Sequence, residues 1–217
     1  MKAAFLPLAL GLTLVACATN AVDYGPIPVA AVTDGQRVDG DTVRHRGFDD
    51  SLPAQVGAVD VRVQVSPDLA YVIDNPGDRL GYNGLRDGFG SGGYLGERDV
   101  ARLVAETREE LAEELLRRGV GVDANAATVL EVTLTDLLPN RPTPSQLGAE
   151  PGLSFSSFGR GGMSAEGRLL SRDGDVLGSF TYGDYTDFIE NTSYRGTWTD
   201  ANRAIRLMAK RVAKRLA

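Results

Sequence analysis

A single histidine, His45, and a single cysteine, Cys17, leave this chain short of the side chains that most catalytic chemistry needs. Nucleophilic catalysis wants a Ser, Cys or Thr beside a base that a third group orients. His45 stands between Arg44 and Arg46 in a stretch without hydrophobic periodicity, so no Ser-His-Asp or Cys-His set assembles on a rigid scaffold. Zinc ligation fails for the same shortage of nitrogen and sulfur donors. Asp39-x-Asp41 and Asp173-x-Asp175 could offer oxygens to calcium, but aspartates in turn-like sequence usually bond their own backbone. Gly88, Gly90 and Gly93 fit G-x-G-x-x-G without the preceding strand a dinucleotide site requires, and they read as loop. Carboxylate chemistry is the one class left open. Asp184, Asp187 and Glu190 lie among Tyr182, Tyr185, Phe188, Tyr194 and Trp198. A glycan site offers such a mixture, with aromatic faces for stacking and two acids to divide proton transfer. The plainer reading has the aromatics closing a sheet against a helix while the acids stay in water. The sequence therefore implies no enzyme, no cofactor and no metal. Tyr182, Asp184, Tyr185, Asp187 and Trp198 remain a candidate ligand segment.

The start of the chain is more explicit. Met1-Lys2 is a short positive lead, and Ala3 to Val15 are uncharged and rich in leucine and alanine. That run is too short to span a bilayer as a helix, which takes roughly 20 residues. A charged start, a short apolar middle and a small-residue cut mark a removable secretory signal. Leu14-Val15-Ala16-Cys17 resembles the lipobox of bacterial lipoproteins, read by the lipoprotein signal peptidase. The resemblance implies cleavage between Ala16 and Cys17, diacylation of the Cys17 sulfur and acylation of the new amino group, palmitate included. Ala18 follows the cysteine instead of an aspartate. In the same family pattern this implies export to the outer membrane, on its inner leaflet and facing the periplasm. Two or more acyl chains anchor a protein durably, whereas one binds marginally.

The full chain carries 23 basic and 29 acidic side chains, a net charge of −6. An acidic protein without a basic, aromatic-interleaved stripe has no general attraction to nucleic acid. Residues 17–57 read as a lipidated amino terminus and flexible tether, with Pro26, Pro28, Pro53 and scattered charges and no sustained periodicity. Val29 to Val32 could dock as an edge strand. Residues 58–217 read as a single domain.

Within that domain, Val59, Val61, Val63 and Val65 alternate with polar residues as a half-buried strand does. Leu69 to Ile73 suggests a second short strand, and eight glycines between Asn75 and Gly96 a long loop. A helical stripe runs from Asp99 to Arg118 through Val100, Leu103, Val104, Thr107, Leu111 and Leu115. Glu113–Arg117 and Glu114–Arg118 support it as i,i+4 pairs. Leu130, Val132 and Leu134 mark another strand, and Asp173-Gly174 joins Met163–Ser171 to Val176–Asp184 as a hairpin. A helix from about Asp200 to the end has Ala201, Ala204, Ile205, Met208, Val212 and Leu216 on one side. The order predicts an α+β fold: a mostly antiparallel sheet of four to five strands with two amphipathic helices on one face. It loosely resembles small envelope lipoproteins and the α+β domains of curli-secretion and TolB amino-terminal type, over residues 59–217. No specific motif is shared, so no site residue carries over.

Two surfaces remain. Asn140 to Gly162 separates two strands by a long stretch that carries Leu153, Phe155 and Phe158. Loops of that length in compact domains are usually binding loops or disorder, and disorder does not favour such side chains. These three either fold back into the core, the reading that burial of apolar groups favours, or form a partner-contact loop. The terminal helix carries Arg203, Arg206, Lys210, Arg211, Lys214 and Arg215. A solvated face is the default for these, and anionic lipid or a neighbouring acidic protein the alternative. The leading expectation is a non-enzymatic, membrane-anchored lipoprotein whose domain contacts another envelope protein. The alternative is a glycan (peptidoglycan) or lipid binder.

Overall fold

Alternation along the strands sends one side of the sheet into the core, and the two long helices cover that side. A computed structural model describes residues 47–74, 95–149, 152, 154–157, 161–186 and 196–217. The described residues all belong to one compact unit. Ala16, Cys17, Leu153, Phe158 and Asp187 lie outside the described residues, as do Val29 to Val32 and residues 75–94 of the glycine-rich stretch.

The strands are β1 (Gly47–Asp50), β2 (Ala58–Val65), β3 (Gly121–Val122), β4 (Thr128–Leu138), β5 (Gly162–Ser171) and β6 (Val176–Tyr185). They form a six-stranded sheet in the order β1-β6-β5-β4-β2-β3. The helices are α1 (Pro67–Asp74), α2 (Glu97–Arg117), α3 (Pro144–Ala149) and α4 (Thr199–Leu216). The fold is thus mixed α+β, a multi-stranded sheet with a few helices. Valines 59, 61 and 63 of β2 and Leu130, Val132 and Leu134 of β4 are buried, while their sequence neighbours are partly or fully exposed. Leu103, Leu111 and Leu115 of α2 meet Ile205, Met208, Val212 and Leu216 of α4 in the same core. Each such side chain contributes roughly 1.5–3 kcal/mol on burial.

β2 runs parallel to β4, and α2 supplies the crossover a parallel pair demands. β4, β5 and β6 are antiparallel, with Gly174 at φ +94° in the turn of the β5–β6 hairpin. A register shift between Leu134 and Asp136 breaks the alternation of β4, and both Leu137 and Leu138 are buried beyond it.

Three expectations need correction. Leu69 to Ile73 is not a strand but lies in α1. Ser66 begins that helix, its hydroxyl accepting from the Leu69 N–H at 3.2 Å and its carbonyl from the Ala70 N–H at 2.9 Å. Pro67 takes the first helical position and Asp68 the positive end of the helix dipole. The sheet has six strands rather than four to five, and two of its pairings, β2 with β3 and β2 with β4, are parallel. The extra strands are short edges. One of them, β1, falls in the segment expected to be tether, and it pairs antiparallel with β6 from Gly47↔Gly183 to Asp50↔Phe180.

Side chains explain why β1 stays. The Phe48 ring packs against Phe180 and Tyr182 at centroid distances of 5.8 and 6.4 Å. The Arg211 guanidinium sits 5.8 Å from the centroids of both Phe48 and Tyr182. Arg215 Nε reaches Asp50 at 3.0 Å. Below β1, the Ser51 N–H donates to the Ser179 carbonyl and the Val56 N–H to the Leu216 carbonyl.

Candidate functional site

Beyond its bulge, β4 ends in Pro139-Asn140-Arg141-Pro142, and the two central residues go separate ways. Asn140 turns inward and is fully buried. Its Nδ2 donates to Asp200 Oδ2 at 2.5 Å, its Oδ1 accepts from the Asp200 N–H at 2.9 Å, and its own N–H donates to the Thr197 carbonyl at 2.7 Å. The Thr186 hydroxyl, just past β6, donates to the same Asp200 oxygen. Arg203 bridges two buried carboxylates, Asp200 at 3.5 Å and Asp184 at 3.2 Å, and the Tyr182 hydroxyl donates to Asp184. Asp200 also lies in the first turn of α4, where the helix dipole favours an anion. Gly161 makes room for this joint, since a Cβ there would stand 2.4 Å from the Asn140 side chain. Three elements are tied together by one asparagine–aspartate pair.

Arg141 reaches the other way. Its Nη1 lies 3.5, 3.0 and 3.2 Å from the carbonyl oxygens of Phe155, Ser156 and Ser157. Those residues belong to a tight turn that its serines close. The Ser157 N–H donates to the Ser154 carbonyl, the Ser156 N–H to Ser154 Oγ, and the Ser154 N–H to Ser157 Oγ. At the tip, Phe155 is 82% exposed, more than any other exposed large hydrophobic among the described residues. Of the three residues proposed for a contact loop, Phe155 is therefore not folded back, contrary to the reading that burial favoured.

The candidate ligand segment comes apart. Tyr182, Asp184 and Trp198 are buried, at 3%, 0% and 6% exposure, and offer no face for a sugar to stack on. Tyr182 and Asp184 point to the helix layer, whereas Tyr185, one residue on, points to the opposite side of the sheet. There its hydroxyl donates to Asp136 at 2.8 Å. Trp198 Nε1 and Asn202 Oδ1 are buried without a hydrogen-bond partner.

Tyr185 makes a pH prediction. Burial raises its phenol well above the ordinary value, and the Asp136 charge pushes the same way. The protonated form is favoured by the folded state, so its contribution is complete below the unfolded value near 10 and is lost as pH rises beyond it. Spectroscopic titration should show a tyrosine that ionises only with unfolding. In Tyr185→Phe, that late component should be missing.

Three arginines of α4 make contacts within the domain. Arg203 holds the two aspartates, Arg211 covers Phe48 and Tyr182, and Arg215 pairs with Asp50. Arg206 acts on Glu110 of α2, whose carboxyl burial raises and whose neighbour Arg206 pulls back. Lys210 and Lys214 face outward.

Among the described residues no group of three or more His, Cys, Asp or Glu is placed to hold a metal ion, and no helix is long and apolar enough to cross a membrane. Asn140, Arg141, Thr186 and Asp200 were not legible as partners. Only the unusual length of the 140–162 stretch pointed to this region.

No family model matches the chain, and no curated protein matches it. Among solved structures it is similar to the PelC L103M dodecamer from Paraburkholderia phytofirmans, at 13% identity and a TM-score of 0.39. That alignment covers 76% of this chain and 94% of the other. A likeness of this degree carries no inference about assembly or activity.

Proposed function

We propose that this chain is a lipid-anchored protein of the bacterial envelope, held through acyl groups on Cys17, whose α+β domain works by protein contact and not by catalysis. The site of contact is the Phe155 turn, and its location is the periplasmic side of the outer membrane. The observation that carries the reading is an aromatic ring left 82% exposed on a turn that its own backbone and Arg141 hold closed. Large aromatics at the centre of interfaces supply much of the binding energy, and an exposed one on a defined turn is poised to do so. The anchoring part is supported by the Leu14-Val15-Ala16-Cys17 quartet. The non-catalytic part is supported by the polar groups around Asp200, which bond one another inside the core.

Cells fed labelled palmitate should incorporate it into the chain, and Cys17→Ser should abolish incorporation. Label that persists in Cys17→Ser would overturn the anchor. With a photoreactive phenylalanine analogue at position 155, irradiation of living cells should give a discrete protein adduct. Phe155→Ser should shift stability by less than about 0.5 kcal/mol, as surface substitutions do, while weakening partner capture at least tenfold. Loss of folding in Phe155→Ser would refute the contact role.

A further inference from the structure

We infer that Arg141 is the positioning residue of the contact turn, holding Phe155 in one presented conformation by filling the cup of carbonyl oxygens that the turn creates. The inference rests on the contact reading above. Folding Ser154–Ser157 into a tight turn brings the carbonyl oxygens of Phe155, Ser156 and Ser157 to one side, each within 3.5 Å of a single guanidinium nitrogen. Three carbonyl dipoles converging without a cation repel one another and open toward water. A guanidinium among them turns that repulsion into charge-assisted hydrogen bonding, roughly twice as strong as the neutral kind.

Arg141 itself is fixed from below. Pro142 restricts the backbone of the residue before it to extended conformations. Asn140, on the other side, is locked to Asp200 by a reciprocal pair of bonds at 2.5 and 2.9 Å and to Thr197 by its own N–H. Pro139 and Pro142 are both buried. The root of the arginine therefore belongs to the rigid core, and its head carries that rigidity fourteen to sixteen residues along the chain to the turn. A preorganised aromatic binds more tightly than one that must be ordered on contact, because the ordering cost is met beforehand.

The test uses full-length chain and two readouts. The first is hydrogen exchange of Ser154–Ser157 in protein extracted into detergent. The second is in-cell photo-capture from position 155. Arg141→Ala should lower amide protection in the turn about tenfold and capture about fivefold, with the melting temperature unchanged within about 2 °C. Arg141→Lys, which keeps a cation but on a shorter stem, should retain most of the protection and roughly half the capture. Arg62→Ala, on the open sheet face, should change neither. Unchanged protection in Arg141→Ala overturns the positioning role, whatever capture does. Reduced protection together with unchanged capture overturns it too, because presentation would then not matter. If wild-type chain captures nothing while Arg141→Ala still loses protection, the clasp stands and the contact reading falls.

Discussion

Replacing Asp200 with alanine should destabilise the domain by about 3–5 kcal/mol, the range for removing one member of a buried charged network. Asp200 is fully buried, and its carboxylate accepts from Asn140 Nδ2 and the Thr186 hydroxyl and lies 3.5 Å from Arg203 Nε. The truncation leaves a buried amide and a buried hydroxyl without that acceptor, each at about 1–3 kcal/mol. Arg203 keeps Asp184 and is 30% exposed, so water recovers part of the loss on its side. Asp200→Asn separates the contributions. It preserves shape and one acceptor but turns an amide toward the guanidinium, and about half the penalty should remain. Urea unfolding followed by circular dichroism gives both values. A cost below 1 kcal/mol for Asp200→Ala would mean that the joint does not bear on stability. The same variant should also loosen the Phe155 turn modestly, since Asn140 would lose one of its three bonds and keep those to the residue-200 N–H and the Thr197 carbonyl.

What could be read in the chain beforehand tracks how local each cause is. Leu130, Val132 and Leu134 announce β4 because burial on one face needs only a period of two, and Asp173-Gly174 announces the hairpin because its turn needs a residue tolerant of positive φ. The stripes of α2 and α4 are equally local. Leu69 to Ile73 reads as a strand because it is short and apolar, and periodicity alone does not tell such a run from a helix. The Ser66-Pro67-Asp68 start held the answer. β1 had no such signal: four residues at an edge owe their place to Phe180, Tyr182, Arg211 and Arg215. Ser51, just beyond it, pairs with a residue 128 positions away. The site divides the same way. A long loop carrying Phe155 was visible, but the direction of its ring was not, because that depends on where Arg141 finds backbone carbonyls. The basic face of α4 was visible too, and only packing revealed that Arg203, Arg211 and Arg215 turn back onto β1, β6 and the joint. Glu114 shows the point in miniature. Its i,i+4 spacing points to Arg118, yet it is buried and pairs with Arg117.

Gly167→Ala should destabilise the domain by about 3 kcal/mol, the upper end of what overpacking a core costs. Gly167 of β5 stands directly across from Phe180 of β6, on the side facing the helices. A Cβ built there would lie 2.0 Å from Phe180 Cε1 and 2.3 Å from Cζ. Backbone strain is not the reason, since the position is ordinary strand. Space is the reason: the ring lies across the glycine, the usual role of a glycine within a strand where a neighbour must approach closely. The ring has no free direction to leave in, because Phe180 is 2% exposed and Phe48 stacks on it at 5.8 Å. Displacing it therefore pushes on Phe48, and through Phe48 on β1, which depends on that ring and on Arg211. Two consequences can be measured. The peptide bonds of residues 51–57 should become cleavable under limited proteolysis that spares the wild type. In a double-mutant cycle, Phe180→Leu should cost about 1–2 kcal/mol alone but recover stability in the Gly167→Ala background, a coupling well above the 0.5 kcal/mol expected of independent sites. Additivity of the two would show that the ring does not rest on the glycine, and the account of how β1 is held at the sheet edge would lose its foundation.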